Sequence, residues 1–321
     1  MFQNLDTDER AAPLQSELDT VAAKSTPEIQ LRLAQAFGNR RSRRLKVGCE
    51  PGYSLEGVPS TLLIPLAARA FGDAMFPATA VNDAYAAAAV RGLNADVRHF
   101  LADRPSVYGV LSRTRIFRDL AGAFFRRFPH ALGANLGCGM ASYFQWLDQQ
   151  SNCWLDADLP EVMALRRAVL PAGGERLQEA EVDLRQPGWW DRLGLPQQRS
   201  EGPVLLILEG VLMYLQQAQV QRLLHEFGER APAGSELLCD TLCWLAVGGA
   251  ALHPSVGQTK TQFCWGPRHL AEFTDPHPRL ALQSEHAVME GYDLWLALFY
   301  PGFKALYGVP VYGVTRLGIA S

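Results

Sequence analysis

Between His130 and Pro160 the chain reads HALGANLGCGMASYFQWLDQQSNCWLDADLP. Gly137 and Gly139 in that stretch allow a sharp backbone bend and a close ligand approach, because neither carries a side chain. Asp158 follows Gly137 by twenty-one residues. At that spacing behind a strand-to-helix corner, a carboxylate can accept hydrogen bonds from both ribose hydroxyls of a nucleoside. Further on, VDLRQPGWW sets Asp183 beside Leu184, a carboxylate for an exocyclic amine next to an aliphatic chain for the face of a purine ring. LLILEGVLMYL then ends an apolar run with Glu209. That acid reads as uncompensated, which is costly if it is buried alone and favourable beside an ammonium or a sulfonium.

Each feature has a plainer reading. A Gly-x-Gly bend serves many strand-to-helix corners, and Asp183 has the chemistry to cap the short helix after it. The combination narrows the choice to adenosine-bearing cofactors. A dinucleotide requires a third glycine for its pyrophosphate, and that position holds Ser142. S-adenosylmethionine has no phosphate and needs only the first glycines and the carboxylates. Two rivals to methyl transfer remain: a nicotinamide-dependent oxidoreductase and a noncatalytic binding protein that keeps the fold.

The elements that must position these residues alternate after His130. ALGANLG, CWLDAD, RLQEAEVD, PVLLILEG and SELLCDTL read as strands, separated by helical stretches such as PEVMALRRAVL and QQAQVQRLLHEFGERA. Continuous apolar strands alternating with helices imply a parallel sheet covered on both faces. RLALQSEHAVM and VPVYGVTRLGIA read as two more strands without room for a proper helix between every pair, hence a doubly wound α/β sheet with an antiparallel closing edge. Ahead of it, TLLIPLAARAF, VNDAYAAAAVRGL and RIFRDLAGAFFRRF carry apolar residues at helical steps. The expected organisation is an N-terminal helical extension and linker over 1–57, a helical lid over 58–130, and the sheet domain over 131–321. The extension contains Arg40, Arg41, Arg43, Arg44 and Lys46, read as a solvated helix face or an anion contact.

A net charge of −3 offers no basic field for nucleic acid. The acidic N-terminal stretch and the absence of a long apolar run lead to the expectation of a cytoplasmic protein with no membrane contact. Six cysteines without Cys-x-x-Cys spacing read as core residues, with neither a disulfide nor a bound metal expected. The N-terminal arm is a candidate for homodimer formation. After the fifth strand, His253 and His269 receive no catalytic role, and Phe263 and Trp265 read as pocket walls or as core.

Together, LGCGM, DADLPEV, DLRQPGWW and LEGVLMYL, preceded by VPSTLLIPLAARA and LSRTRIFRDL, resemble the leucine carboxyl methyltransferase superfamily over roughly Val58 to Thr241. The resemblance implies a class I methyltransferase fold with a helical lid and S-adenosylmethionine as donor. It implies that Gly137 and Gly139 lie along the methionine part, Asp158 on the ribose, and Asp183 with Leu184 on the adenine. Arg113 corresponds to the arginine that pairs with the methionine carboxylate, and Glu209 to an acid near the amino group. Tyr214 lines the acceptor side, with Arg69 as a lid cation; without the family, both arginines read equally well as surface charges. The implied acceptor is a carboxylate or hydroxyl of a small natural product or peptide. The family continues its glycine motif as Leu-Asp-Thr-Arg, where this chain has Met140, Ala141 and Ser142. Two readings of the missing acid stay open: Ser142 or Asp156 serves the same hydrogen bonds, or the cofactor binds weakly, as in a catalytically silent relative.

Overall fold

The computed structural model describes residues 60–320 apart from 172, 199, 200 and 260. The expected N-terminal extension, its basic run and the linker lie outside the described residues. Among the described residues three α-helices precede the sheet: α1 (Leu63–Met75), α2 (Ala86–Leu93) and α3 (Arg104–Arg127). The sheet domain then runs β1 (Leu132–Leu136), α4 (Phe144–Leu147), β2 (Cys153–Asp158), α5 (Pro160–Val169), β3 (Leu177–Glu181) and α6 (Trp189–Arg192). It continues with β4 (Val204–Leu208), α7 (Gln217–Arg230), β5 (Glu236–Leu242), β6 (Leu280–Ala287), α8 (Leu294–Tyr307) and β7 (Tyr312–Ile319).

The strands form one sheet in the order β3-β2-β1-β4-β5-β7-β6. β1 to β5 are parallel, and β7 runs antiparallel to both β5 and β6. The strand order reverses at β1, between β2 and β4, and there the ends of β1, β2 and β4 open a crevice. Helices cover both faces, so β4 is buried throughout. Its Val204, Leu206 and Leu208 pack with α6 and α7, whereas Leu205 and Ile207 pack with α3 and the α4 region.

Two elements depart from the sequence reading. α3 begins a full three turns before the expected helical stretch, because Asp103 caps it, accepting from the Ser106 N–H at 3.3 Å, with Pro105 in the first turn. This extension places Arg113 in mid-helix. α8 fills the connection between β6 and β7, where no helix was expected. Its sequence is apolar almost throughout and contains Pro301, which hides the helical period. Asp293 caps its start and Gly308, in the left-handed region, ends it.

A buried ion pair fixes the bend after β1. Asp156 on β2 and Arg166 on α5 pair out of solvent, and Arg166 also donates to the carbonyls of Gly139 and Ala141, at 3.0 and 2.6 Å. Asp156 further accepts from the Trp154 indole at 2.8 Å. Asp156 is therefore occupied in holding the glycine bend, and neither it nor Ser142 lines the cavity described below. Neither replaces the missing acid as a ligand contact, which corrects the sequence expectation. Among the described residues no helix is long and apolar enough to cross a membrane.

Removing one member of such a pair strands a charge in the core. Arg166→Leu is expected to lower stability by about 3–5 kcal/mol in urea unfolding. A double Asp156→Asn, Arg166→Met substitution is expected to lose clearly less. Equal losses for the two variants would show that the pair is not the brace.

Candidate functional site

A cavity of about 470 Å³ opens above the ends of β1, β2 and β4 and beneath α1 and α3. Arg69, Arg113, Gly137, Gly139, Asp158, Asp183, Leu184, Glu209 and Tyr214 all line it. The structure thus brings these nine candidate residues together from six separate segments of the chain, while Ser142, Asp156, Phe263 and Trp265 lie outside the cavity lining.

At the bend, Gly137 has φ +70° and Gly139 φ +49°, a region disfavoured for residues with a side chain. A Cβ on Gly137 would stand 2.5 Å from Val211 Cγ2, so the close packing also requires glycine. Asp158 accepts the backbone N–H of Gly139 at 2.8 Å and that of Leu159 at 2.7 Å, one on each oxygen. Each oxygen keeps a second lone pair, so the carboxylate faces the cavity as a two-point acceptor for a vicinal diol. Burial pushes its carboxyl above the ordinary aspartate value, opposed by the two N–H groups. Asp183 stands at the rim, held by the Arg185 guanidinium at 2.8 and 2.9 Å, which keeps its carboxyl below the ordinary value. It does not cap α6, whose N-cap is Gly188.

The opposite end of the cavity holds a buried charge cluster. Arg113 donates from Nε to Glu209 at 2.8 Å and from Nη1 to Asp240 at 2.9 Å and to the Tyr312 hydroxyl at 2.7 Å. Arg69 donates to Asp83 at 3.1 Å and approaches Glu209 at 3.8 Å. The Tyr143 hydroxyl donates to the second oxygen of Glu209 at 2.8 Å. Both arginines are buried, so neither is a surface charge. Glu209 is not uncompensated either. Burial disfavours its ionisation, yet Arg113, Arg69 and Tyr143 together hold its carboxyl below the ordinary glutamate value. Two guanidiniums meet three carboxyl groups here, Asp83, Glu209 and Asp240, a formal excess of one negative charge when all are ionised; burial pushes the Asp240 carboxyl above the ordinary aspartate value, opposed by Arg113.

Tyr143, Asp240 and Tyr312 escaped the sequence reading. Asp240 gave the clearest signal, an acid inside the apolar strand SELLCDTL. Phe263 and Trp265 are core residues rather than cavity walls, with Phe263 stacked on Tyr214 at 5.8 Å between ring centres. His269 caps a short turn with Glu272, whereas His253 reaches the cavity. The Val256 N–H donates to His253 Nδ1 at 3.2 Å, which assigns the proton of the neutral ring to Nε2. Burial holds its pKa below the ordinary histidine value, opposed by Asp103.

The chain is similar to known proteins in sequence and in fold. The family model for leucine carboxyl methyltransferase matches residues 65–228, just over half of the chain. The chain belongs to the leucine carboxyl methyltransferase family. It is 28% identical over 238 residues to the tetracenomycin polyketide synthesis O-methyltransferase TcmP of Streptomyces glaucescens, covering 74% of this chain and 85% of that one. It is 32% identical over 185 residues to the S-adenosylmethionine-dependent methyltransferase DpfgK of Gibberella zeae, covering 53% of this chain and 60% of that one. A candidate methyltransferase from Thermobifida fusca has the same fold, with TM-score 0.54 and 17% identity over 86% of this chain and all of that one. The expected class I architecture is thereby met, and the chain is an S-adenosylmethionine-dependent O-methyltransferase.

The site fits that donor. Arg113 keeps Nη2 without a partner among the described residues, available to a carboxylate. The excess negative charge suits a ligand whose ammonium and sulfonium outweigh its carboxylate.

Because Nδ1 of His253 is an acceptor, protonation breaks its bond to Val256. Stabilisation from the neutral ring is full above the ordinary histidine value and is lost as pH falls through the depressed folded value. NMR of protein with ¹⁵N-labelled histidine is expected to show the Nε2–H tautomer with a titration below about 6.5. A ring protonated on Nδ1 at neutral pH would contradict this assignment.

Proposed function

We propose that this enzyme methylates the carboxylate of a compact, largely apolar acid, such as a natural-product intermediate. The observation that carries the reading is the state of the titratable groups around the cavity. Glu209 is engaged by two arginines and a tyrosine, Asp183 by Arg185, and Asp158 by two backbone amides. His253 carries its proton on the nitrogen left free, and burial pushes the Tyr214 hydroxyl up to about 12. Apart from Asp158, which this reading gives to the ribose hydroxyls, none of these groups is placed to take a proton from an alcohol. A carboxylate is ionised near neutral pH and needs no base. The name of one relative, in polyketide synthesis, supports a natural-product acid.

Bound S-adenosylmethionine supplies an electrophilic methyl group on a sulfonium. In this proposal Gly137 and Gly139 leave room for its sugar and methionine chain, Asp158 takes the ribose hydroxyls, and Asp183 with Leu184 meets the adenine. Arg113 holds the methionine carboxylate, and Glu209 faces its ammonium. Arg69 and Tyr214 orient the acceptor oxygen against the methyl carbon, Tyr214 as a donor that keeps its proton. Ile64, Val110, Met213, Leu242, Val256 and Met289 form an apolar wall that excludes water from the in-line displacement. A cytoplasmic site of action and an acceptor without nucleic acid are parts of the same proposal.

Calorimetry is expected to show S-adenosylhomocysteine binding and no binding of NADH. Asp158→Ala is expected to weaken that binding about 10- to 100-fold, the loss of hydrogen bonds to a charged group worth about 1.5–3 kcal/mol. Incubation with methyl-labelled donor and a panel of aromatic carboxylic acids is expected to give products that release labelled methanol in alkali, as esters do. Alkali-stable label on phenolic acceptors alone would overturn the carboxylate reading.

A further inference from the structure

α8 is apolar almost all round: within Leu294–Tyr307 Lys304 alone is charged, and it pairs with Glu285. A helix of that composition is normally covered on every side, by a large core or a membrane. This one buries Tyr300 and Phe303 beneath it and leaves its outer face open. Leu294 is 77% exposed, Trp295 65%, Leu298 72% and Leu306 74%, with Phe299 and Tyr307 about half as exposed. The positions recur at steps of three and four residues, so they form one stripe. At about 150–250 Å² for a fully exposed side chain of this size, the six leave roughly 700 Å² of apolar surface to solvent. The largest apolar patch on an ordinary monomer is about 300–600 Å², and each partner in a stable interface contributes about 800 Å². The patch also continues past the helix, since Trp244 meets Tyr307 at 6.4 Å between ring centres and the next residue, Leu245, is exposed.

The chemistry of the stripe selects what covers it. With 14 residues α8 is too short to span a bilayer, and it lacks the polar, basic face of a helix that lies on one. The stripe is instead complementary to itself. Its N-terminal half is bulky, with Leu294, Leu298 and the stacked pair of Trp295 and Phe299, 4.8 Å between ring centres and 9° between planes. Its C-terminal half opens at Gly302, where an added Cβ would meet nothing within 4 Å. Under a twofold axis across the stripe, antiparallel copies of α8 set the aromatic pair of each over the Gly302 gap of the other. The pairing of Lys304 with Glu285 leaves no unbalanced charge on the helix to oppose the approach. We propose that the outer face of α8 is a homodimer interface, its occupant a second copy of this chain with α8 packed antiparallel on α8. The element that joins the copies is then α8 rather than the N-terminal arm. Because the inner face of α8 lends Tyr300 to the cavity wall, the interface backs the acceptor side of the site.

Sedimentation equilibrium of the full chain at micromolar concentration is expected to give twice the chain mass of 35.4 kDa. Leu298→Glu places two charges in the interface, one from each copy, and is expected to raise the dimer dissociation constant about 100-fold. Gly302→Leu is expected to do the same by filling the gap, although leucine is the better helix former and meets no atom of its own protomer there. Far-UV circular dichroism of both variants is expected to match wild type, and if one does not fold the other is read alone. A dimer that survives the substitutions overturns the proposal. So does a wild type that stays monomeric at tens of micromolar, whether its own N-terminal segment covers the face or the face binds phosphatidylcholine vesicles.

Discussion

The buried charge cluster joining the helices to the sheet is the constraint on which this structure depends. Arg69 on α1 and Arg113 on α3 come from the helices, while Glu209, Asp240 and Tyr312 come from β4, β5 and β7 or the turns at their ends. Taking each charge out of water costs several kcal/mol, and a well-packed apolar replacement is often as stable. The cluster is therefore weakly explained by stability alone. In the proposed function its geometry has a use: it holds Arg113 over the cavity with Nη2 unpartnered among the described residues, and it leaves a formal negative charge for a cationic ligand.

The glycine bend is held by the same kind of device. Arg166 takes the carbonyls of Gly139 and Ala141 while Asp156 holds Arg166, and Asp158 takes the Gly139 N–H from the other side. Two carboxylates of one strand thus have different work: Asp156 is sealed inside as a brace, and Asp158 is turned to the cavity. Such preorganisation lowers the cost of ordering the site when a ligand arrives. It also accounts for the absent acid of the family's glycine motif, since Arg166 and Asp158 already fix the loop at Ala141 and Gly139.

Much of this was legible in the sequence. All seven strands were legible, most from apolar runs, though β3 is largely polar; Gly137, Gly139 and Asp158 followed from spacing along the first βαβ unit, and Asp183 and Glu209 from their places at later strand ends. The pairings were not legible. Arg113 and Glu209 are 96 residues apart and Arg113 and Asp240 are 127 apart, so no local pattern links them. Glu209 looked unpaired because its partners come from elements that fold back over it. α8 was hidden because its interior proline and nearly uniform apolarity erase the period that reveals an amphipathic helix. Asn135 is a lone amide in an apolar strand, yet only the structure shows that its carboxamide has no hydrogen-bond partner among the described residues.

The central claim is that carboxylates at successive strand tips and one half-engaged arginine grip a phosphate-free nucleoside. A crystal structure of the complex with S-adenosylhomocysteine tests it most directly. The account predicts the ribose on Asp158, the adenine between Asp183 and Leu184, and the methionine carboxylate on Arg113 Nη2. A ligand bound elsewhere, or with its carboxylate away from an unmoved Arg113, would contradict it.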